Sequence, residues 1–220
     1  MMEESVVIIR KLTKVIGGHT ILNQIDLEVK PGRIYGIIGH NGSGKSMLFK
    51  AIAGYLRPTK GEVIVFGEKI GEKAKFPKHF GALIEHPGFL PQYSGMRNLK
   101  LLAAIKNEIT DEEIKEAITQ VGLDWQDKRP VKKYSLGMKQ RLGIAQAIME
   151  KPKLLILDEP MNGLDKQGVK LIHNLLRSLR EQGVAILLAS HNRDEIVQLS
   201  DEVYEMDRGM LSEVCEQESI

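Results

Sequence analysis

Apolar positions fall into short β-rich runs separated by glycine turns early in the chain, and into helix-spaced sets in its middle. The runs Val6–Ile9, Ile25–Val29, Ile34–Ile38 and Glu62–Phe66 have the length and branched-residue content of strands. They predict an antiparallel layer beside the one strand that feeds a glycine-rich loop. Between about 95 and 150 the pattern turns helical. Thr110 and Glu113 have the spacing of a capping box, and Asp111, Glu112 and Glu113 suit the positive end of a helix dipole. Ile114, Ala117, Ile118 and Val121 then recur on one helical face, and Gly122 can close it. From Leu154 the order returns to strand and helix. Leu154–Leu157 and Val184–Ala189 are continuous apolar runs, the pattern of strands buried on both faces, with a helix over roughly Lys166–Gln182 between them. Residues 1–220 therefore read as a single α/β domain with a helical insertion at about 90–150, and no internal repeat duplicates it.

The loop that follows Ile34–Ile38 carries the first chemistry. Residues 39–46 read Gly-His-Asn-Gly-Ser-Gly-Lys-Ser, a complete G-x-x-x-x-G-K-[ST] phosphate-binding pattern. Gly39, Gly42 and Gly44 let the backbone curl so that successive N–H groups of the loop, including those at His40, Asn41 and Ser43, form a nest for phosphate oxygens. Lys45 supplies a charge for the β- and γ-phosphates, and the Ser46 hydroxyl can ligate Mg²⁺. A helix from about Ser46 to Ala53 points its positive end at the same anion. A chain of this composition shows the pattern by accident about one time in a hundred, and the strand–loop–helix context lowers that further.

A second segment has matching chemistry. Leu154–Leu157 runs into the adjacent carboxylates Asp158 and Glu159, followed by Pro160. Asp158 at the strand end is suited to hold Mg²⁺ through water, and Glu159 can turn to polarise an attacking water as general base. Two more segments complete an order: Tyr134-Ser-Leu-Gly-Met-Lys-Gln140 before a helical run, and Asn162-Gly-Leu-Asp165 after the carboxylates. Ser190-His191 ends the Val184–Ala189 strand.

With these five ordered motifs, the chain resembles the ATP-binding subunit of ABC transporters over nearly its whole length. The resemblance implies a P-loop ATPase core with a mixed central sheet, an antiparallel β subdomain and an inserted α-helical subdomain. It implies that residues 39–46 are the Walker A loop, Asp158 the Walker B aspartate and Glu159 the catalytic glutamate. Asp165 becomes the D-loop aspartate and His191 the switch histidine, with catalysis carried by Glu159, His191 and Lys45. Ser135, Leu136, Gly137 and Met138 become the signature segment, in which Ser135 and Gly137 grip the γ-phosphate held by an opposing subunit. The implied cofactors are ATP and Mg²⁺. The implied partners are a second ATP-binding subunit, as homodimer or pseudo-dimer, and a separate transmembrane permease.

Several positions depart from the family pattern. Tyr134, Leu136 and Met138 replace three of the five common signature residues. Met47 stands where a threonine is frequent, removing one hydroxyl from the phosphate side. Ile16 takes the place of the adenine-stacking aromatic and offers an aliphatic face instead. Glu85 stands where glutamine is usual; its carboxylate can approach Mg²⁺ but adds negative charge, against the alternative of a solvated loop glutamate. The segments around Glu85 and Tyr134 look like the bacitracin and lantibiotic export or immunity branch. Ile16 and Glu85 also leave open a catalytically weak regulatory subunit.

Composition narrows the partners. Of the 220 residues, 31 are basic and 29 acidic, so no global field favours nucleic acid. Lys128, Arg129, Lys132, Lys133, Lys139 and Arg141 cluster near the signature without an aromatic stacking series, which reads as a solvated surface. Nucleic acid is accordingly not an expected partner, although a soluble ABC-type ATPase acting on nucleic acid or ribosomes is the alternative class. The histidines lack metal-ligand spacing, and Trp125 reads as a packing or partner residue. A single cysteine, Cys215, provides no disulfide framework, and no apolar run approaches the ~20 residues that cross a bilayer. The expected location is cytoplasmic, at the inner face of the membrane through the permease.

Overall fold

A computed structural model describes residues 4–71, 76–85 and 87–214; Cys215 lies outside the described residues. The early strands are β1 (Val7–Ile16), β2 (His19–Val29), β3 (Ile34–Ile38), β4 (Lys60–Val65), β5 (Glu68–Lys69) and β6 (Phe80–Leu83), with helix α1 (Lys45–Ile52) after β3. Helices α2 (Gly95–Lys106), α3 (Asp111–Gln120) and α4 (Leu136–Ile148) follow. The chain continues through β7 (Leu154–Asp158), α5 (Lys166–Glu181), β8 (Ala185–Ser190), α6 (Arg193–Leu199), β9 (Glu202–Asp207) and β10 (Met210–Glu213).

Two sheets result. One is antiparallel in the order β2-β1-β4-β5; the other is mixed, in the order β10-β9-β3-β8-β7-β6. In the mixed sheet β9, β3, β8, β7 and β6 run parallel and only β10 is reversed. Its central strands alternate between two cores, as period-2 side chains must. Ile34, Ile38, Leu155, Leu157, Ile186 and Leu188 pack with α4, α5 and α6. Tyr35, Ile37, Leu154, Ile156 and Leu187 pack with α1 and the antiparallel sheet. Each such fully buried Leu or Ile stabilises the fold by about 1.5–3 kcal/mol, and burial on both faces explains why these strands carry no polar alternation.

The expected runs appear with shifted ends. β1 and β2 extend into a hairpin through Gly17 and Gly18, whose φ values of 56° and 82° glycine tolerates. The run Glu62–Phe66 ends one residue early as β4, because Phe66 turns at φ 50°. Strands β6, β9 and β10 and helix α6 carry no strong sequence pattern. β6 is only four residues long and contains Gly81, where a Cβ would lie 1.8 Å from the Ala147 carbonyl oxygen. That glycine is what lets α4 lie against the sheet. The capping box is present, with the Thr110 amide donating to the Glu113 carboxylate at 2.9 Å. Lys151 holds the same carboxyl down to about 2.

His173 on α5 is buried, its Nε2 has no hydrogen-bond partner, and burial, with Arg177 adding, pushes its pKa below the ordinary histidine value. The unfolded chain takes up that proton first, so this contribution to stability is present above about pH 6.5 and lost as pH falls through the native pKa. Replacing His173 with Leu should therefore raise the thermal unfolding midpoint more at pH 5.5 than at pH 7.5. An equal gain at both pH values would rule out the titration.

Candidate functional site

The carboxyl ends of β3, β7 and β8 meet at one edge of the mixed sheet. There, residues 39–46 leave β3 and enter α1, with Gly42 at φ 82° and Gly44, the residue before the helix, at φ 119°. Gly39 is required by close approach: a Cβ would stand 2.4 Å from the Met206 carbonyl oxygen. The turn between β9 and β10 braces the loop, with the Gly209 amide donating to the Ser43 carbonyl at 2.8 Å. The Lys45 ammonium crosses the loop and donates to the carbonyls of Gly39 at 2.6 Å and His40 at 3.2 Å. No acidic residue occupies the first turn of α1, so its positive end stays uncompensated. The His40 ring faces outward to Asp207 at 3.2 Å; the Asn41 carbonyl, then Asp207, raise its pKa.

The other wall of the cavity carries the carboxylates. Ser46 donates to Asp158 at 2.5 Å across 112 residues of sequence. Burial raises the Asp158 pKa, the Ser46 bond opposes it, and Glu159 and Glu85 add repulsion while Lys45 counters it. Strand alternation would aim Glu159 away from Asp158. The backbone instead leaves β7 at φ 50°, and the Glu159 amide donates to the Ala189 carbonyl at 2.8 Å. A left-handed glutamate is strained by about 1–2 kcal/mol, and the surroundings enforce it: Gln140 on α4 donates to the Glu159 carbonyl at 3.0 Å. One carboxylate oxygen, Oε2, is held by His191 Nδ1 at 2.8 Å and the Ser190 hydroxyl at 3.3 Å. The other, Oε1, is buried without a partner among the described residues, as is the Ser43 hydroxyl. Both belong to residues lining a cavity of about 530 Å³, the size of a small-molecule site. Two unsatisfied buried oxygens on residues that line one cavity are groups that a bound ligand or water would complete.

Asn41 to Met47, Asp158, Glu159 and Glu85 line this cavity together. Ile16 does not; it sits half-exposed at the end of β1, and Ile21 on β2 forms that part of the wall. The hairpin register, Ile16 opposite His19, places Ile21 there, which spacing from a motif could not show. Glu85 is exposed but not free: Lys50 on α1 pairs with it at 2.5 Å. Ser135, Gly137 and Asp165 lie outside the cavity lining. Ser135 caps α4 by accepting from the Met138 amide at 3.2 Å. Asp165 caps α5 by accepting from Gly168 at 2.8 Å. A Cβ on Gly137 would stand 2.6 Å from the Gly163 carbonyl oxygen, so the start of α4 rests on the segment after the carboxylates. Within the basic stretch, Arg141 departs from the solvated reading. It is mostly buried, pairs with Asp165 at 3.3 Å, and leaves Nε buried without a partner. Trp125 carries the Lys115 ammonium 5.0 Å from its ring centre. Gln140, Asn162 and Lys50 were not singled out by the sequence, because their roles depend on contacts across α4, β7 and β6.

Comparison with known proteins agrees with this geometry. The ABC transporter family profile matches residues 22–162. An uncharacterised ABC transporter ATP-binding protein of Bacillus subtilis is 44% identical over 200 residues, covering 91% of this chain and 92% of that protein. A bacitracin transport ATP-binding protein of Enterococcus faecalis is 41% identical, covering 97% of this chain and 70% of its own. Among solved structures, a dimeric post-hydrolysis ATP-binding cassette bound to ADP and Pi superposes with a TM-score of 0.84 at 22% identity, over 94% of this chain and 97% of that one.

The Gly137 contact supplies a direct test. Gly137→Ala must displace α4 from Gly163 without touching the loop at 39–46. ATP turnover is expected to fall at least about tenfold while nucleotide affinity stays within about twofold. Parallel losses of both would place Gly137 in the binding cavity instead.

Proposed function

The chain belongs to the ABC transporter family as an ATP-binding subunit, and we propose that its ATPase activity drives a separate membrane permease exporting an antimicrobial peptide or drug. The observation that carries the catalytic part is the Glu159 carboxylate, anchored through Oε2 and left without a hydrogen-bond partner at Oε1 among the described residues, on a residue lining the same cavity as the phosphate loop. The loop amides and the start of α1 take the phosphates. Lys45 exchanges its carbonyl partners for phosphate oxygens. Glu159 Oε1 accepts the proton of the attacking water, while His191 and Ser190 keep the carboxylate from rotating away.

Mg²⁺ fits the donor set. Ser46 and Asp158 present hard oxygens side by side, and so few protein ligands leave coordination places for phosphates and water. When bound, the ion neutralises charge developing on the phosphates. Asp158, Ser46 and, on its release from Lys50, Glu85 are the residues that would hold it.

The second copy enters through the signature. Ser135 and Gly137 start α4 outside the cavity, beside Leu136, which is 60% exposed. An opposing copy that brings this helix start to the γ-phosphate completes the site, and Asp165, in the segment after the carboxylates, pairs with Arg141 on the same helix. Movement passes to the permease through the loop around Glu85–Tyr93 and α2. Asn98 stiffens that loop, accepting from the Leu90 amide at 2.7 Å and donating to the carbonyls of Leu90, Tyr93 and Ser94. Among the described residues no helix is long and apolar enough to cross a membrane. Similarity to a bacitracin transport ATP-binding protein supports the class of cargo.

Glu159→Gln tests the assignment. Turnover is expected to fall by about 10²–10⁴, the contribution of a general base, with ATP affinity unchanged. Hydrolysis at the parental rate would remove Glu159 from the reaction.

A further inference from the structure

One face of α1 carries two residues a single turn apart that serve the same cavity. Ser46 points at Asp158, and Lys50, four residues on, points at Glu85. Glu85 follows β6 at φ 63°, a left-handed conformation that its backbone does not favour. Its carboxylate borders the cavity and adds repulsion to Asp158, next to Glu159. Three carboxylates thus converge on one edge of the sheet. The ammonium of Lys45 is bound to loop carbonyls. Lys50 is the cation that Glu85 contacts.

Resting on the nucleotide-and-metal reading above, we propose that Lys50 is a positioning residue that withholds the Glu85 carboxylate from the metal site. The Lys50–Glu85 ion pair ties the segment after β6 to the helix that follows the phosphate loop. A metal ion arriving with nucleotide would gain the Glu85 carboxylate only by breaking that pair. The pair therefore sets how much Mg²⁺ the site requires, and it links metal occupancy to the position of the loop at 85–93. A glutamine at position 85 would have no charge for Lys50 to hold, so the device belongs to chains that carry glutamate there. The pair is part-exposed, with side-chain exposures of 30% and 60%, so its effect is modest.

The test uses the full chain and ADP, which is not hydrolysed. ADP affinity is measured by calorimetry across a series of free Mg²⁺ concentrations for the parent, Lys50→Met, Glu85→Gln and the double variant. Lys50→Met should lower the Mg²⁺ concentration that half-saturates ADP binding by about two- to fivefold. In the Glu85→Gln background the same substitution should leave it unchanged, because Lys50 then has no carboxylate to hold. An equal shift in both backgrounds, or none in either, overturns the proposal. Failure of the parent to bind ADP at any Mg²⁺ concentration would instead overturn the nucleotide reading on which it rests.

Discussion

Parallel pairing of β3, β7 and β8 is the constraint on which the rest of the structure depends. Its register sets Ile38 beside Ser190 and Asp158 beside Ala189, so three segments end at one edge of the sheet. Parallel strands must be joined by crossovers, and those crossovers put well over a hundred residues between Ser46 and Asp158. Burial on both faces locks that register, since a slip of one residue would exchange the two cores. The phosphate loop, the two carboxylates and His191 are brought together by backbone hydrogen bonds before any side chain of the site makes a contact.

On that platform the local chemistry is one of selective satisfaction. Asp158 is engaged by Ser46, and one oxygen of Glu159 by His191 and Ser190. The other Glu159 oxygen and the Ser43 hydroxyl, on residues that line the cavity, are buried without partners among the described residues. Backbone strain at Glu159 is tolerated because Gln140 and Ala189 hold its peptide groups. Helix starts are used twice: α1 aims its positive end into the cavity, whereas α4 presents Ser135 and Gly137 outside it. That separation within one chain is the physical reason for proposing that a second copy supplies the missing half.

Much of this was legible in the sequence where the chemistry is carried by residue type at fixed spacing. Residues 39–46, Asp158, Glu159 and the Thr110 capping box needed no tertiary contact to be recognised. Continuous apolar runs marked β3, β7 and β8 because both faces are buried. Elements whose pattern reflects partners were not legible. β6 is short and interrupted by Gly81, and β9 mixes three acidic residues with three apolar ones without alternation. Ile16 was chosen by its place in a motif, yet hairpin register puts Ile21 at the cavity. Arg141 looked solvated by composition, and only folding reveals Asp165 as its partner and Lys50 as the partner of the exposed Glu85.

The central claim is that the working site is shared between two copies, one giving Lys45 and the other Ser135. Mixing two variants measures this most directly: Lys45→Ala and Ser135→Ala, each expected to be inactive alone. In a mixed dimer one site carries both defects and the other carries neither. Recovery of ATP turnover on mixing is the predicted result; a mixture as inactive as its two components would contradict the account.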